Sequence, residues 1–146
     1  MKIYLDNCAI QRPLDEKNQV RIALEAEAVL GVISLCEQNV IEVISSDVLL
    51  FEISNTPNMT RREYAQELLK KSSIYIKISK TIEKRAKEFE KIGIHSLDAL
   101  HLASAEKGNA DYFCTCDDKF LKKMKKITDL KIKVGTPIHL IEEIEQ

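Results

Sequence analysis

SLDALHLASAEKGNADYFCTCDDKF, residues Ser96 to Phe120, reads as helix, strand and helix in close succession. Ser96 offers a capping hydroxyl ahead of Leu97 to Lys107, and Gly108-Asn109 stop that helix. Tyr112 to Cys116 is a short apolar run between turn residues, the mark of a buried strand. Asp117 to Lys125 then forms a short helix. A strand set directly between two helices is the repeating unit of an α/β fold.

The same alternation extends in both directions. Ile3 to Leu5 predicts a first buried strand, ended by Asp6 and Asn7, with a polar loop through Gln11 to Asn18 after it. Ile22, Ala26, Val29, Leu30 and Ile33 recur at helical spacing, with Glu25 and Glu27 between them, and predict a long helix over Val20 to Glu37. Ile41 to Ile44 predicts a second strand, and Ser45-Ser46-Asp47 carry N-cap chemistry for a helix holding Val48, Leu49, Glu52 and Ile53. Asn55 to Asn58, with Pro57, break it. A polar helix from Thr60 to Lys71, a strand over Ile74 to Ile78 and a helix capped by Ser79 that stops near Gly93 continue the pattern. A last strand near Ile132 to Val134 and a segment around Ile138 to Ile144 complete it. Right-handed crossovers place helices over both faces, so the expected architecture is a three-layer α/β sandwich around a mostly parallel sheet of about five strands.

Length and composition agree. A chain of 146 residues is a single domain, 1–146, and one of this size buries about 70 % of its unfolded surface. An apolar content of 45 % with 31 % charged residues suits a core with a solvated rim, and excludes disorder, collagen and coiled coil. No apolar run approaches the ~18 residues of a membrane span, and Asp6 interrupts Met1 to Leu5 before it resembles a signal peptide, so a cytoplasmic protein with no membrane partner is expected. Cys8, Cys36, Cys114 and Cys116 are too few and too irregular for a disulfide scaffold, and the C-x-C spacing of the last two does not suit zinc. The net charge is −1, yet residues 119 to 133 hold seven lysines against Asp129 alone, which is either a solvated helix face or a phosphate-contacting patch.

In an open parallel sheet, ligands bind beyond the carboxyl ends of the strands, which singles out four acids. Asp6 ends the first strand and Asp117 the fourth; Glu52 lies in the helix after the second, and Asp98 in the first turn of the helix before the fourth. Glu52 shares a face with Leu49 and Ile53, so it points toward the core and needs a partner. Asp98 and Asp117 also have a plain structural explanation, because acids interact favourably with helix N-termini. Carboxylates gathered in one cleft repel one another unless a cation neutralises them, and a hard oxygen-seeking ion, Mg²⁺ or Mn²⁺, can also activate water against a phosphodiester. The four glycines, Gly31, Gly93, Gly108 and Gly135, make no phosphate-binding loop. His95, Asp98 and His101 are three apart, but His95 precedes the helix; His101 is expected to pack or hydrogen-bond beside Asp98. Arg12 and Arg21 read by default as surface arginines, with phosphate or a protein partner as the other use.

I-Y-L-D-N (Ile3 to Asn7), S-x-x-x-x-x-E-I (Ser46 to Ile53), S-L-D-A-L-H-L-A-S-A (Ser96 to Ala105) and A-D-Y-F-C-T-C-D-D-K-F (Ala110 to Phe120) resemble PIN-domain nucleases. More narrowly they look like the small VapC-type toxins of toxin–antitoxin pairs. The likeness runs in order over nearly the whole chain. Carried over by motif, it places the family's acid quartet on Asp6, Glu52, Asp98 and Asp117 as metal-binding catalytic residues. It implies a Mg²⁺- or Mn²⁺-dependent endoribonuclease acting on single-stranded RNA, a cognate antitoxin and a homodimer. The family's small hydroxyl residues after the first aspartate are replaced here by Asn7 and Cys8, and Thr115 stands where a hydroxyl near the metal is expected. Two other readings remain at this point. One is a haloacid dehalogenase-like phosphatase, for which Cys8 stands where a second acid is needed; the other is a non-catalytic PIN-fold interaction module.

Overall fold

The computed structural model describes residues 1–146. Five strands are present: β1 (Lys2–Leu5), β2 (Glu42–Ser46), β3 (Ile74–Ile76), β4 (Tyr112–Cys114) and β5 (Lys133–Gly135). They form one sheet in the order β3-β2-β1-β4-β5, and every pairing is parallel. The register is set around the centre, where Tyr4 pairs with Ile44 on one side and Phe113 on the other. Ile3, Tyr4 and Leu5 are all buried, although successive residues point to opposite faces, so both faces of β1 are covered.

The helices are α1 (Asn7–Gln11), α2 (Val20–Glu37), α3 (Asp47–Ser54), α4 (Met59–Leu69), α5 (Lys80–Lys91), α6 (Ser96–Lys107), α7 (Asp118–Lys125) and α8 (Pro137–Ile144). They pack in two groups, α2 with α8, and α1 with α3 to α6. Phe113 stacks on Tyr4 and meets Phe120 edge to face, joining the sheet to α7. At the edge, the Tyr112 side chain lies against Gly135, where a Cβ would collide with its hydroxyl oxygen. No helix is long and apolar enough to cross a membrane.

The long helix over Val20 to Glu37 is found with those bounds. Other expectations need correction. The stretch after β1 is not a loop: α1 starts at Asn7, and Arg12–Leu14 add a 3₁₀ turn, because the Asp6 carboxylate accepts the Asn7 N–H and caps the new helix. Ser96 does not cap α6; His95 is the N-cap, with no side-chain cap bond, and Ser96 is the first helical residue. That helix is followed by Asn109 in the left-handed region (φ 55°), while Gly108 keeps a negative φ.

The chain runs from β1 outward to β2 and β3, then crosses back over the sheet to β4 and β5. The strand order therefore reverses between β1 and β4. In an open parallel sheet the loops leaving such a pair of strands diverge and leave a crevice at their carboxyl ends.

Candidate metal centre

Asp6 enters this crevice from the end of β1. Its own N–H bonds to the carbonyl of Cys114 across the sheet, which fixes the backbone at the switch point. Its side chain is 6 % exposed. Oδ1 accepts the Asn7 N–H at 2.8 Å, and Oδ2 accepts the Thr115 hydroxyl at 3.0 Å. Thr115 Oγ1 in turn accepts the Asp117 N–H at 3.1 Å, so one hydroxyl ties the loops after β1 and β4 together. Cys8 joins the same cluster. Its thiol lies 3.5 Å from Asp6 Oδ2 and 3.4 Å from Thr115 Oγ1, and its sulfur accepts the Cys116 N–H at 3.3 Å.

Asp117 caps α7, its Oδ1 accepting the N–H groups of Lys119 and Phe120 at 3.0 and 3.1 Å. Its exposure places it at the mouth of the crevice, whereas Asp98, in the first turn of α6, is half-buried. Glu52 comes from the far side on α3. Leu49 and Ile53 on the same helix are fully buried, and they turn the Glu52 side chain inward until it is 30 % exposed. The partner it needs is His101 Nε2, 2.9 Å from Oε1.

The electrostatics are those of crowded negative charge. Burial raises the Asp6 carboxyl above its usual range, and the Glu52 charge pushes in the same direction against the opposing pull of His101 and the Thr115 bond. Burial also pushes Asp98 up to about 6, with Asp6, Asp117 and Glu52 adding repulsion. No lysine or arginine forms an ion pair with any of the four acids. Elsewhere this protein does compensate a buried acid. Glu25, fully buried on α2, is held by Arg12 at 2.9 Å and by Arg21 at 3.3 Å. Asp6 and Glu52 bring ligand atoms within 4.8 Å of each other and of His101, and Asp98 lies close enough to feel the charges of Asp6, Asp117 and Glu52; none has a basic arginine or lysine partner, and carboxylate oxygens suit a hard divalent cation.

Several residues differ from their sequence reading. Arg21 is a surface arginine as expected, though paired by a two-pronged bond to Asp118, whereas Arg12 is half-buried and also binds Asp15. Glu25 did carry a signal: it stands three residues after Ile22 and one before Ala26, the same helical placement as Glu52, and an acid on that apolar face must find partners. His101 does not bond to Asp98 but to Glu52 and to the Tyr4 hydroxyl, 2.6 Å from Nδ1. Tyr4, in the middle of a buried strand, did carry a usable signal, since a buried phenol must find a polar partner. His95 is exposed and belongs to no ligand set. The lysines of α7 lie on its outer face, opposite buried Phe120, Leu121 and Met124.

No curated protein matches the chain. Among solved structures, it is similar to VapBC2 from Rickettsia felis, a complex bound to a DNA fragment from the promoter of that pair. The TM-score is 0.60 at 17 % identity, covering 93 % of this chain and 98 % of the other. A likeness at that identity concerns the fold. The family model of the PIN domain matches residues 3–126, from the first residue of the buried β1 core to the end of the α7 lysine face, and so spans all four acids. With most of its length matched by that model, the chain belongs to the PIN domain family.

Proposed function

We propose that this protein is a Mg²⁺- or Mn²⁺-dependent endoribonuclease that hydrolyses phosphodiester bonds of single-stranded RNA, acting as the toxin of a toxin–antitoxin pair. The observation that carries the reading is the set of Asp6, Glu52, Asp98 and Asp117 at the switch point, with no basic side chain to balance them. PIN-family membership supports hydrolytic nuclease chemistry and displaces the phosphatase alternative. The likeness to VapBC2 supports an antitoxin partner, and a homodimer follows from the VapC-type reading.

The four carboxylates would hold the cation. When bound, it supplies a water of lowered pKa and offsets the charge that builds on the phosphate. The chain's own residues do the rest. The Thr115 hydroxyl and the Asn7 N–H orient both oxygens of Asp6, which faces the deepest part of the crevice. Asp117 commits Oδ1 to the α7 N-terminus, which leaves Oδ2 as the oxygen it could offer a cation. Asp98, with a carboxyl poised near 6, is the group best placed to exchange a proton near neutral pH in the absence of the cation. The lysines of α7 follow directly from Asp117 and offer charge to an RNA backbone.

The test is cleavage of end-labelled single-stranded RNA by purified protein in EDTA, Mg²⁺ and Mn²⁺, alongside Asp6→Asn. Cleavage that needs the metal and disappears in a folded Asp6→Asn variant is expected. Equal cleavage in EDTA, or by the variant, overturns the assigned site, and no cleavage of RNA under any condition favours the interaction-module reading.

A further inference from the structure

One ligand atom each from Asp6, Glu52 and His101 lies within 4.8 Å of the others, an arrangement that invites reading the imidazole as a third metal ligand. The hydrogen bonds around it say otherwise. We propose that His101 is a positioning residue: it holds its proton on Nε2, donates it to Glu52, and is not a ligand of the cation. The consequence for catalysis rests on the nuclease reading, whereas the protonation pattern does not.

The tautomer follows from both ends of a hydrogen-bonded chain that runs from the Leu49 N–H through Ser46, Tyr4 and His101 to Glu52. At one end, the Leu49 N–H donates to Ser46 Oγ at 3.1 Å. Ser46 and Tyr4 are both fully buried, and the only other partner of the Ser46 hydroxyl is Tyr4 Oη at 2.8 Å. If Tyr4 donated to Ser46, the Ser46 proton would have nowhere to go, and a buried unsatisfied donor is costly. Ser46 therefore donates to Tyr4, which leaves the Tyr4 proton for His101 Nδ1 at 2.6 Å. Nδ1 accepts, so the ring carries its proton on Nε2. From the other end, Glu52 Oε1 has no hydrogen-bond partner but Nε2 at 2.9 Å, and a carboxylate oxygen accepts, so a proton on Nε2 satisfies both atoms. Both directions give the same tautomer.

The rest of the packing keeps the chain in place. Tyr4 is stacked on Phe113 with ring centres 5.2 Å apart, and the His101 ring meets Tyr4 edge to face. The main-chain N–H that starts the sequence belongs to the first turn of α3, the helix that carries Glu52 itself. The relay thus connects the start of α3 through β1 and α6 back to the α3 carboxylate, and fixes Glu52 Oε1 while leaving Oε2 for a cation. A protonated Nε2 has no lone pair for a metal, so the ring serves in the role that hydrogen-bonded partners of metal ligands commonly play.

Long-range ¹H–¹⁵N correlation spectra of labelled protein read the tautomer directly. A protonated Nε2 and an unprotonated Nδ1 on His101 are expected, first in EDTA and again with Mg²⁺; an unprotonated Nε2 in either condition overturns the proposal. Electron spin-echo modulation of the Mn²⁺-loaded protein should lack imidazole nitrogen coupling, and its presence also overturns it. For the positioning role, His101→Gln keeps a donor near Nε2 and His101→Leu does not. Binding of Mn²⁺ should weaken by about 10- to 100-fold in His101→Leu and stay close to wild type in His101→Gln. Equal affinity in His101→Leu and wild type refutes positioning. If His101→Leu fails to fold, the spectra of the wild type still decide. Failure of the wild type to cut RNA, with the expected tautomer present, refutes the nuclease reading alone.

Discussion

Replacing Asp98 by Asn should stabilise the metal-free protein while abolishing cleavage. Its carboxyl moves from 3.8 to about 6 on folding, chiefly through burial, then through the charges of Asp6, Asp117 and Glu52. At about 1.4 kcal/mol per tenfold change, that shift corresponds to about 3 kcal/mol against the charged form. Asp98 is only half-buried and water screens it, so about 1.5 kcal/mol is a fairer size. Its place in the first turn of α6 favours the carboxylate by roughly 0.5 kcal/mol, which Asn gives up. The net gain for Asp98→Asn at pH 7.5 is about 1 kcal/mol, or roughly 3 °C in Tm for a domain of this size. The sign with pH follows from the raised value. The folded state holds the proton more tightly than the unfolded one, so the favourable contribution is complete below about 3.8 and is lost as pH rises through about 6. The variant and wild type should therefore melt together near pH 4 and separate by pH 7. Added Mn²⁺ should reverse the order, since a ligand at 100 times its Kd stabilises the wild type by about 2.7 kcal/mol and the variant binds it less well. Thermal melts in EDTA at pH 4, 5.5 and 7.5, then with Mn²⁺, make the measurement. A metal-free variant less stable than wild type at pH 7.5, or a gap that ignores pH, refutes the crowded-charge account.

Two other expectations follow from the charges outside the crevice. Arg12→Leu leaves fully buried Glu25 with Arg21 alone at 3.3 Å, so urea unfolding should show a loss of about 2 to 3 kcal/mol, below the 3 to 5 kcal/mol of a buried pair broken outright; an unchanged midpoint would remove Glu25 as a structural centre. For the α7 face, RNA binding by Lys122→Gln, Lys123→Gln in an Asp98→Asn background should show a salt slope flatter by roughly 1.4, about 0.7 for each lost phosphate contact. An identical slope assigns those lysines to solubility and sends the RNA path elsewhere.

The acids were legible before any coordinates because each is tied to a local signal. Asp6 and Asp117 follow apolar strand runs and cap the helices that come next, and Asp98 opens the helix whose end at Gly108-Asn109 was plain. Glu52 was legible from its spacing to Leu49 and Ile53, which set the face it occupies. The alternation of strand and helix likewise gave the α/β class and the count of five strands, since period and caps are properties of neighbouring residues. The helix α1 escaped because its five residues hold too little pattern to announce a helix.

Local signals cannot say which distant groups share a proton or cancel a charge. His101 and Glu52 are 49 residues apart, and Tyr4 and His101 are 97 apart; only the strand order, with β1 between β2 and β4, brings them into one relay. The tertiary fold likewise brings Arg21 to Asp118, 97 residues on, whereas its bond to Glu25 is a local i,i+4 pair within α2. Sequence by itself determined the α/β class, most of the elements and the family likeness, because helix spacing, strand runs and caps act within a few residues. Tertiary structure decided the partner of each acid and the direction of each proton, because hydrogen bonds and burial depend on the sheet order that folds residues far apart in the chain onto one crevice.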